Sequence, residues 1–543
     1  MGTRITDKIR SQLEDMARAG IGSPNLAHYL KFLDAWKAGD YPSSFDNLHR
    51  YFDYTLHSRE KTYDQYALLN LALLQADFGC YPEAVTTMQE TIASARENKD
   101  DSCLHYSLSW LYQFGKGHPD ELSQIRQSGV LGTERETLAF LKIRAQSQEM
   151  WTVLDACFLS ETRLGMTKGE SVSIAFENVT KASELNLTKS LRPASGAQFA
   201  MQVSLWRRLG RSLVEKGKAG DNSDAGVGVS YLSWLYNEIF LSGYAEGSSV
   251  EDELSCAGTK ACALAQQGRS REALVVLDQF SRHSLTTLTN YQDWVAYQGF
   301  IRLQMAIHRD DLLEAEQVLL QLEANPRPNQ VFTFTVAIEH INVCMRRQDC
   351  AAAMRMIMDW SARLGEDVDV GQQVQLMSWK ARVYDQSGLP QRGICAALRA
   401  VSMAYKAHLL DCLWETIVCL SRILIRVHEF EAALDLLESI TPRILEGEDA
   451  DLSGQAFSSL ADAHLGMAVQ APKDPWRHQE SMVTALDLVD RAFDEFSRIE
   501  DVTGQCEMLG KKAAILYGNG DAVLANDCAA QYVIIGRAAD GEN

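Results

Sequence analysis

The phrase Gly39-Asp40-Tyr41-Pro42 returns forty residues later as Gly79-Cys80-Tyr81-Pro82, each time between two stretches whose apolar side chains follow a helical spacing. A chain that counts in helix pairs buries its apolar faces by stacking each pair on the next, so the phrase predicts a solenoid rather than a globule with one central core. Gly79 closes a helix that carries Leu68, Leu71 and Ala72 on one face, and glycine supplies the left-handed turn that ends such a helix. Tyr81 is then placed to fill the corner. Pro82 falls in the first turn of the next helix, where its missing N–H costs nothing and its φ is already helical. Ala84, Met88, Ile92 and Ala95 continue one face of that second helix, and Ala84 is small enough to let the two helices approach.

Gly-x-Tyr-x-Glu-Ala followed by spaced apolar residues is the tetratricopeptide pattern, whose minimal repeat is about 34 residues. With the small residue near the start of the second helix as a ruler, units fall at Ser44, Ala84, Ala273, Ala315, Ala353, Gly393, Ala433 and Ala525, with a degenerate unit around Ala485. Gly39, Gly79, Gly268, Gly388 and Gly520 precede them as corner residues, with Tyr41 and Tyr81 as corner plugs. The spacings of 38 to 42 residues within the two regular runs exceed the minimal repeat, so long helices or long loops are expected. The predicted fold class is an all-α tetratricopeptide-repeat superhelix. The ruler and corner residues are the predicted carriers of its packing.

Five segments are expected. Residues 1–24 read as an N-terminal tail or short helix ending at Gly20-Ile-Gly22-Ser-Pro24, and 25–114 as N-terminal repeat units. Residues 115–253 read as irregular helical pairs of the same solenoid, broken by loops at 115–119 and 167–170 and by a linker at 218–228. Regular units resume over 254–535, with a loop at 470–475, and 536–543 is expected to fray.

Composition narrows the function. A hydrophobic content of 46% with 11 prolines, nearly all at turns, fits an ordered helical chain, and a formal net charge of −20 argues against a nucleic-acid groove, which needs a basic stripe. The 12 cysteines include no Cys-x-x-Cys pair and read as reduced, half-buried small hydrophobes of an intracellular protein. No apolar run reaches the roughly 18 to 20 residues that a membrane helix needs.

No catalytic constellation assembles. The run from Gly504 to Gly510-Lys511-Lys512 has the wrong glycine spacing for a phosphate loop and no Ser or Thr after the lysine. His340 and Cys344 lie one helical turn apart with no second pair at metal-ligand spacing, so they read as a polar residue and a packed thiol. Gly226-Val-Gly228 lacks the strand and third glycine of a dinucleotide site. Asn70 occupies one slot of a carboxylate clamp, but Tyr29 and Leu33 stand where its neighbouring lysine and asparagine would be. No enzyme activity, cofactor, metal, nucleic acid, membrane or small-molecule substrate is expected. Trp110, Tyr112, Trp206 and Trp234 lie in the less regular half and are the candidate partner-binding residues, since interface hot spots are enriched in Trp and Tyr, although filling the core between helices explains them as well.

Several phrases are more particular than generic repeats. His49-Arg-Tyr-Phe-Asp53, Tyr66-Ala-Leu-Leu-Asn-Leu-Ala-Leu-Leu74, Gly79-Cys-Tyr81, Ala93 to Asn98 and Cys103-Leu-His-Tyr-Ser-Leu-Ser-Trp-Leu-Tyr112 follow one another as in the subunit 5 family of the anaphase-promoting complex (cyclosome). Leu205-Trp-Arg-Arg-Leu-Gly-Arg-Ser212, the stretch Ala485 to Ile499 and the turn and helix from Gly520 to Ala530 also resemble that family. The likeness covers about 25–535, and its specific part is 49–112. It implies a non-catalytic scaffold of a cell-cycle ubiquitin ligase, lying in the platform with subunits 1, 4 and 15 and joining the catalytic module to the other repeat subunits, in nucleus and cytoplasm. The family carries an N-terminal helical domain ahead of its repeats, and none is expected here. The alternative is a free-standing repeat adaptor that binds peptides in its superhelix groove.

Overall fold

The computed structural model describes residues 24–57, 64–118, 133–209, 229–245, 248–280, 287–324, 330–364, 369–470 and 475–539, with isolated positions before 24 and at 285. Among the described residues there is no strand, and 24 α-helices pair consecutively. The first pairs are α1 (Pro24–Lys37) with α2 (Tyr41–His57), α3 (Asp64–Asp77) with α4 (Tyr81–Glu97), α5 (Asp101–Gly117) with α6 (Glu134–Ser147) and α7 (Trp151–Thr167) with α8 (Val172–Lys189). The middle pairs are α9 (Ser195–Leu209) with α10 (Val229–Ile239), α11 (Val250–Gln266) with α12 (Ser270–Asp278), α13 (Leu288–His308) with α14 (Leu312–Ala324) and α15 (Gln330–Arg346) with α16 (Cys350–Arg363). The last are α17 (Val370–Gln386) with α18 (Pro390–Lys406), α19 (Leu410–Arg426) with α20 (Phe430–Glu446), α21 (Ala450–Gln470) with α22 (Pro475–Arg498) and α23 (Val502–Gly518) with α24 (Ala522–Ala539). The all-α tetratricopeptide-type superhelix expected from the sequence is the observed architecture.

The two kinds of corner are chemically distinct. Between the helices of one pair the left-handed residue is Gly39, Gly79, Gly169, Gly268, Gly388 or Gly520, and Asp310, Gln348 or His428 in three others. Between one pair and the next it is Lys99, Glu149, Ser190, His408, Glu448 or Glu500. A ruler based on glycine therefore sees only half the corners. After residue 115, where the rhythm fades in the sequence, α6 to α9 keep the same alternation, with Gly169 at the within-pair corner and Glu149 and Ser190 at the between-pair corners.

One expected loop and the expected fraying tail are partly helical. Gly115 and Gly117 lie within α5, which runs one residue short of His118. At the C-terminus α24 continues to Ala539, so 536–539 is helical where fraying was expected. The linker 218–228, the loop residues 471–474, residues 541–543 and most of 1–24 lie outside the described residues.

Each helix pair contributes one slab to a core that runs along the ribbon. Ala84, Ala273, Ala315, Ala353, Ala433 and Ala485 expose none of their surface, and Ser44 and Ala525 are buried. Gly393 is tighter still, since a Cβ there would stand 3.1 Å from the Ala381 carbonyl oxygen and 3.2 Å from Ile423 Cδ1. Around these close approaches, larger side chains interlock from one pair to the next: Leu437 and Ile440 of α20 with Phe457 and Leu460 of α21, and those in turn with Val489 and Phe496 of α22.

Candidate interaction surfaces

The corner tyrosines plug their corners. The Tyr41 ring lies 5.1 Å from Phe78 and 5.7 Å from Phe45, and that of Tyr81 lies 4.1 Å from His118 and 5.9 Å from Phe114, so each touches the far end of the following pair's first helix. Burial raises the Tyr41 phenol above its ordinary range.

The four candidate partner-binding aromatics divide unequally. Trp110 stacks on Phe114 at 4.7 Å and packs against the Met88 and Ile92 cluster. Tyr112 is buried with Leu138 and Leu164. Trp206 lies 4.8 Å from Phe176 beside Val179 and Leu205. Trp110 and Trp206 are half-buried and Tyr112 buried, whereas Trp234, 44% exposed, stands on the surface. Trp476, which the sequence reading did not single out, is 82% exposed at the start of α22. No periodicity marks it, because it stands outside the apolar face.

The surface feature that sequence reading missed joins residues far apart in the chain. The ribbon winds back on itself, so within-pair corners of one turn meet between-pair corners of the next. Arg208 at the end of α9 donates to the Ala407 carbonyl at 3.1 Å, 199 residues away. Gln267 donates to Glu448 at 2.6 Å across 181 residues, Arg309 to Glu500 at 2.7 and 2.9 Å across 191, and Arg346 to Asp501 at 3.3 Å across 155. Arg207 stands 3.7 Å from Asp411. Arginines thus lie on one edge of the ribbon and carboxylates on the other, despite the acidic whole. Backbone meets backbone there as well, with Gly268 against the Arg498 carbonyl.

The groups weighed for catalysis are engaged otherwise. Lys511, in the middle of α23, pairs with Asp462 at 2.8 Å and Glu507 at 2.9 Å. His340 Nδ1 lies 3.3 Å from Glu323, and Cys344 packs against the Ile341 and Ile357 cluster. Gly226 and Gly228 lie outside the described residues. Asn70 donates to the Tyr66 carbonyl of its own helix, while Tyr29 and Leu33 pack on Phe32 and Leu48, so the clamp geometry is absent at these positions. All 12 cysteines are free thiols, and burial pushes Cys103 up to about 11 and Cys157, Cys256 and Cys412 up to about 12, the direction that suppresses thiolate chemistry. Among the described residues no group of His, Cys, Asp and Glu could hold a metal, and no helix is long and apolar enough to cross a membrane. A groove of about 350 Å³ lies between α14, α15 and α16, walled by Leu322, Phe332, Val336 and Trp360.

Fold and surface together define a tetratricopeptide-type helical solenoid. The sequence model of the anaphase-promoting complex subunit 5 family matches residues 28–118, the stretch from α1 to α5 that contains the 49–112 phrases. Similarity extends much further against individual proteins of that name. The chain is 27% identical over 498 residues to anaphase-promoting complex subunit 5 of Schizosaccharomyces pombe, covering 91% of this chain and 62% of that one. Against the Homo sapiens protein it is 22% identical over 491 residues, covering 87% and 60%, and against the Gallus gallus protein 36% identical over 96 residues, covering 16% and 13%. The resemblance to that family read from the sequence therefore holds. The chain spans about six-tenths of the length of the first two relatives.

Proposed function

We propose that the chain is a non-catalytic scaffold subunit of an anaphase-promoting complex, a cell-cycle ubiquitin ligase. In this reading it helps form the platform with subunits 1, 4 and 15 and joins the catalytic module to the other repeat subunits, in nucleus and cytoplasm. The observation that carries the proposal is similarity to subunit 5 proteins along 87–91% of the chain, not in the repeat phrases alone. Physical features support it. The apolar face of each pair packs on the next, Lys511, His340 and Cys344 are paired or packed, and Trp234 and Trp476 stand out on the surface as large anchors of the kind that partner proteins bury.

The packing role proposed for Gly39, Tyr41, Ser44, Gly79, Tyr81, Ala84, Gly268, Ala273, Ala315, Ala353, Gly388, Gly393, Ala433, Gly520 and Ala525 belongs to the same reading: they hold the pairs at a spacing that gives the platform its shape. All four aromatics named from the sequence belong to this reading as partner-binding residues, with Trp234 foremost because it is the most exposed, while half-buried Trp110 and Trp206 and buried Tyr112 also pack against neighbouring helices.

The reading is tested by ubiquitin transfer with the catalytic RING–cullin pair. Adding this chain alone is expected to leave the rate unchanged, while omitting it from a reconstituted complex is expected to weaken assembly. A rate change caused by the chain alone would overturn the scaffold role.

A further inference from the structure

Two kinds of contact hold this superhelix, and they fall on different residues. Along the ribbon the contacts are apolar, and each described cluster joins neighbouring pairs: Ala296 to Val343 over α13–α15, Phe334 to Val383 over α15–α17, Val418 to Ile515 over α19–α23. None of the described clusters bridges one turn to the next. Across turns the contacts sit at the corners and are mostly polar: Arg207 with Asp411, Gln267 with Glu448, Arg309 and Arg271 with Glu500, Arg346 with Asp501. The apolar ones are small, with Gly79 against Leu288 and Gly169 against Ala407 and Val370. Most of these side chains are about half exposed, where ion pairs are weak and salt-screened, and only Asp501 is almost fully covered.

We propose that this corner seam is a clasp that sets the pitch of the superhelix and parts without unfolding the repeats. Opening it sacrifices solvent-screened ion pairs, a few backbone contacts and the small apolar contacts at Gly79 and Gly169, while the apolar clusters within each turn keep their partners. The division of charge makes the clasp directional: arginines of pairs five to eight face carboxylates at the corners around pairs ten to twelve. Glu500 is its most connected acid, reached by Arg309 and by Arg271.

Small-angle scattering of the full chain tests this, with far-UV circular dichroism on the same samples. Raising NaCl to 1 M, where the screening length is about 3 Å, is expected to increase the radius of gyration with the helical signal unchanged. Glu500→Arg is expected to give the expanded form already at low salt, and the swap Arg271→Glu, Arg309→Glu, Glu500→Arg to return the compact one. A radius that ignores both salt and charge reversal would overturn the clasp, and so would expansion that tracks loss of helical signal. If Glu500→Arg does not fold, the salt series on the unaltered chain decides alone.

Discussion

Asp385 exposes none of its surface, and Arg422, from the first helix of the next pair, meets it with Nε 3.1 Å from Oδ2. Arg426, one turn further along α19, brings its own Nε to 3.2 Å from Oδ1 and donates to the Asp385 carbonyl at 2.8 Å. One buried carboxylate therefore ties α17 to α19 through two guanidinium groups. Removing one partner of a buried pair leaves the other uncompensated, at about 3–5 kcal/mol. Because both arginines keep partial access to water, Asp385→Ala is expected at the lower end, measured as a lost urea midpoint. A variant that unfolds like the parent would show that the pair contributes nothing across this junction.

Replacing Ala84 or Ala433 by Leu is expected to overpack the contact between the two helices of a pair, at roughly 1–3 kcal/mol. Both alanines are fully covered, so added methyl groups have to displace neighbours. Because each repeat couples to the next, hydrogen exchange should quicken in the adjoining pairs as well. Unchanged melting of both variants would refute the packing role.

Gly268 and Gly388 separate two reasons for a glycine corner. Both have positive φ, +83° and +77°, but a Cβ on Gly268 meets the Arg498 carbonyl while one on Gly388 has nothing within 4 Å. Gly388→Ala is expected to lose only the left-handed penalty, roughly 1–2 kcal/mol. Gly268→Ala should lose more and also expand the molecule in scattering. Equal losses with equal radii would mean that the turns do not press on that corner.

Burial pushes the Asp155 and Asp449 carboxyls up to about 7 and those of Asp77 and Asp252 up to about 6. Their unfolded values lie near 4, so the folded state binds protons more tightly. Stability from these groups is complete below about pH 4 and is lost as pH rises through 6 to 7. Melting temperature is expected to fall between pH 5 and pH 8. Asp155→Asn, which cannot ionise, should melt higher than the parent at pH 8 and show no such gain at pH 5. An equal drop at both values would assign Asp155 a purely structural role.

The pair architecture was legible because its signals are local. A glycine that must turn left, a proline in a first turn and an alanine that must be small are each dictated within a few residues of where they stand. The seam was not legible. Arg309 and Glu500 carry no mark that distinguishes them from other charged corner residues, and their meeting depends on the rotation accumulated over several pairs. The aromatics fall between these cases. Trp110 and Trp206 follow helical spacing and are half-buried against neighbouring clusters, whereas the exposure of Trp234 and Trp476 depends on what the neighbouring helices leave uncovered.

Affinity purification of the full-length tagged chain from its own cells, at physiological salt, with every stoichiometric partner identified by mass, tests the central claim most directly. The account predicts recovery in a large assembly, one copy alongside other anaphase-promoting complex subunits. Recovery of the chain alone, or with only short peptides bound, would contradict it and favour a free-standing adaptor.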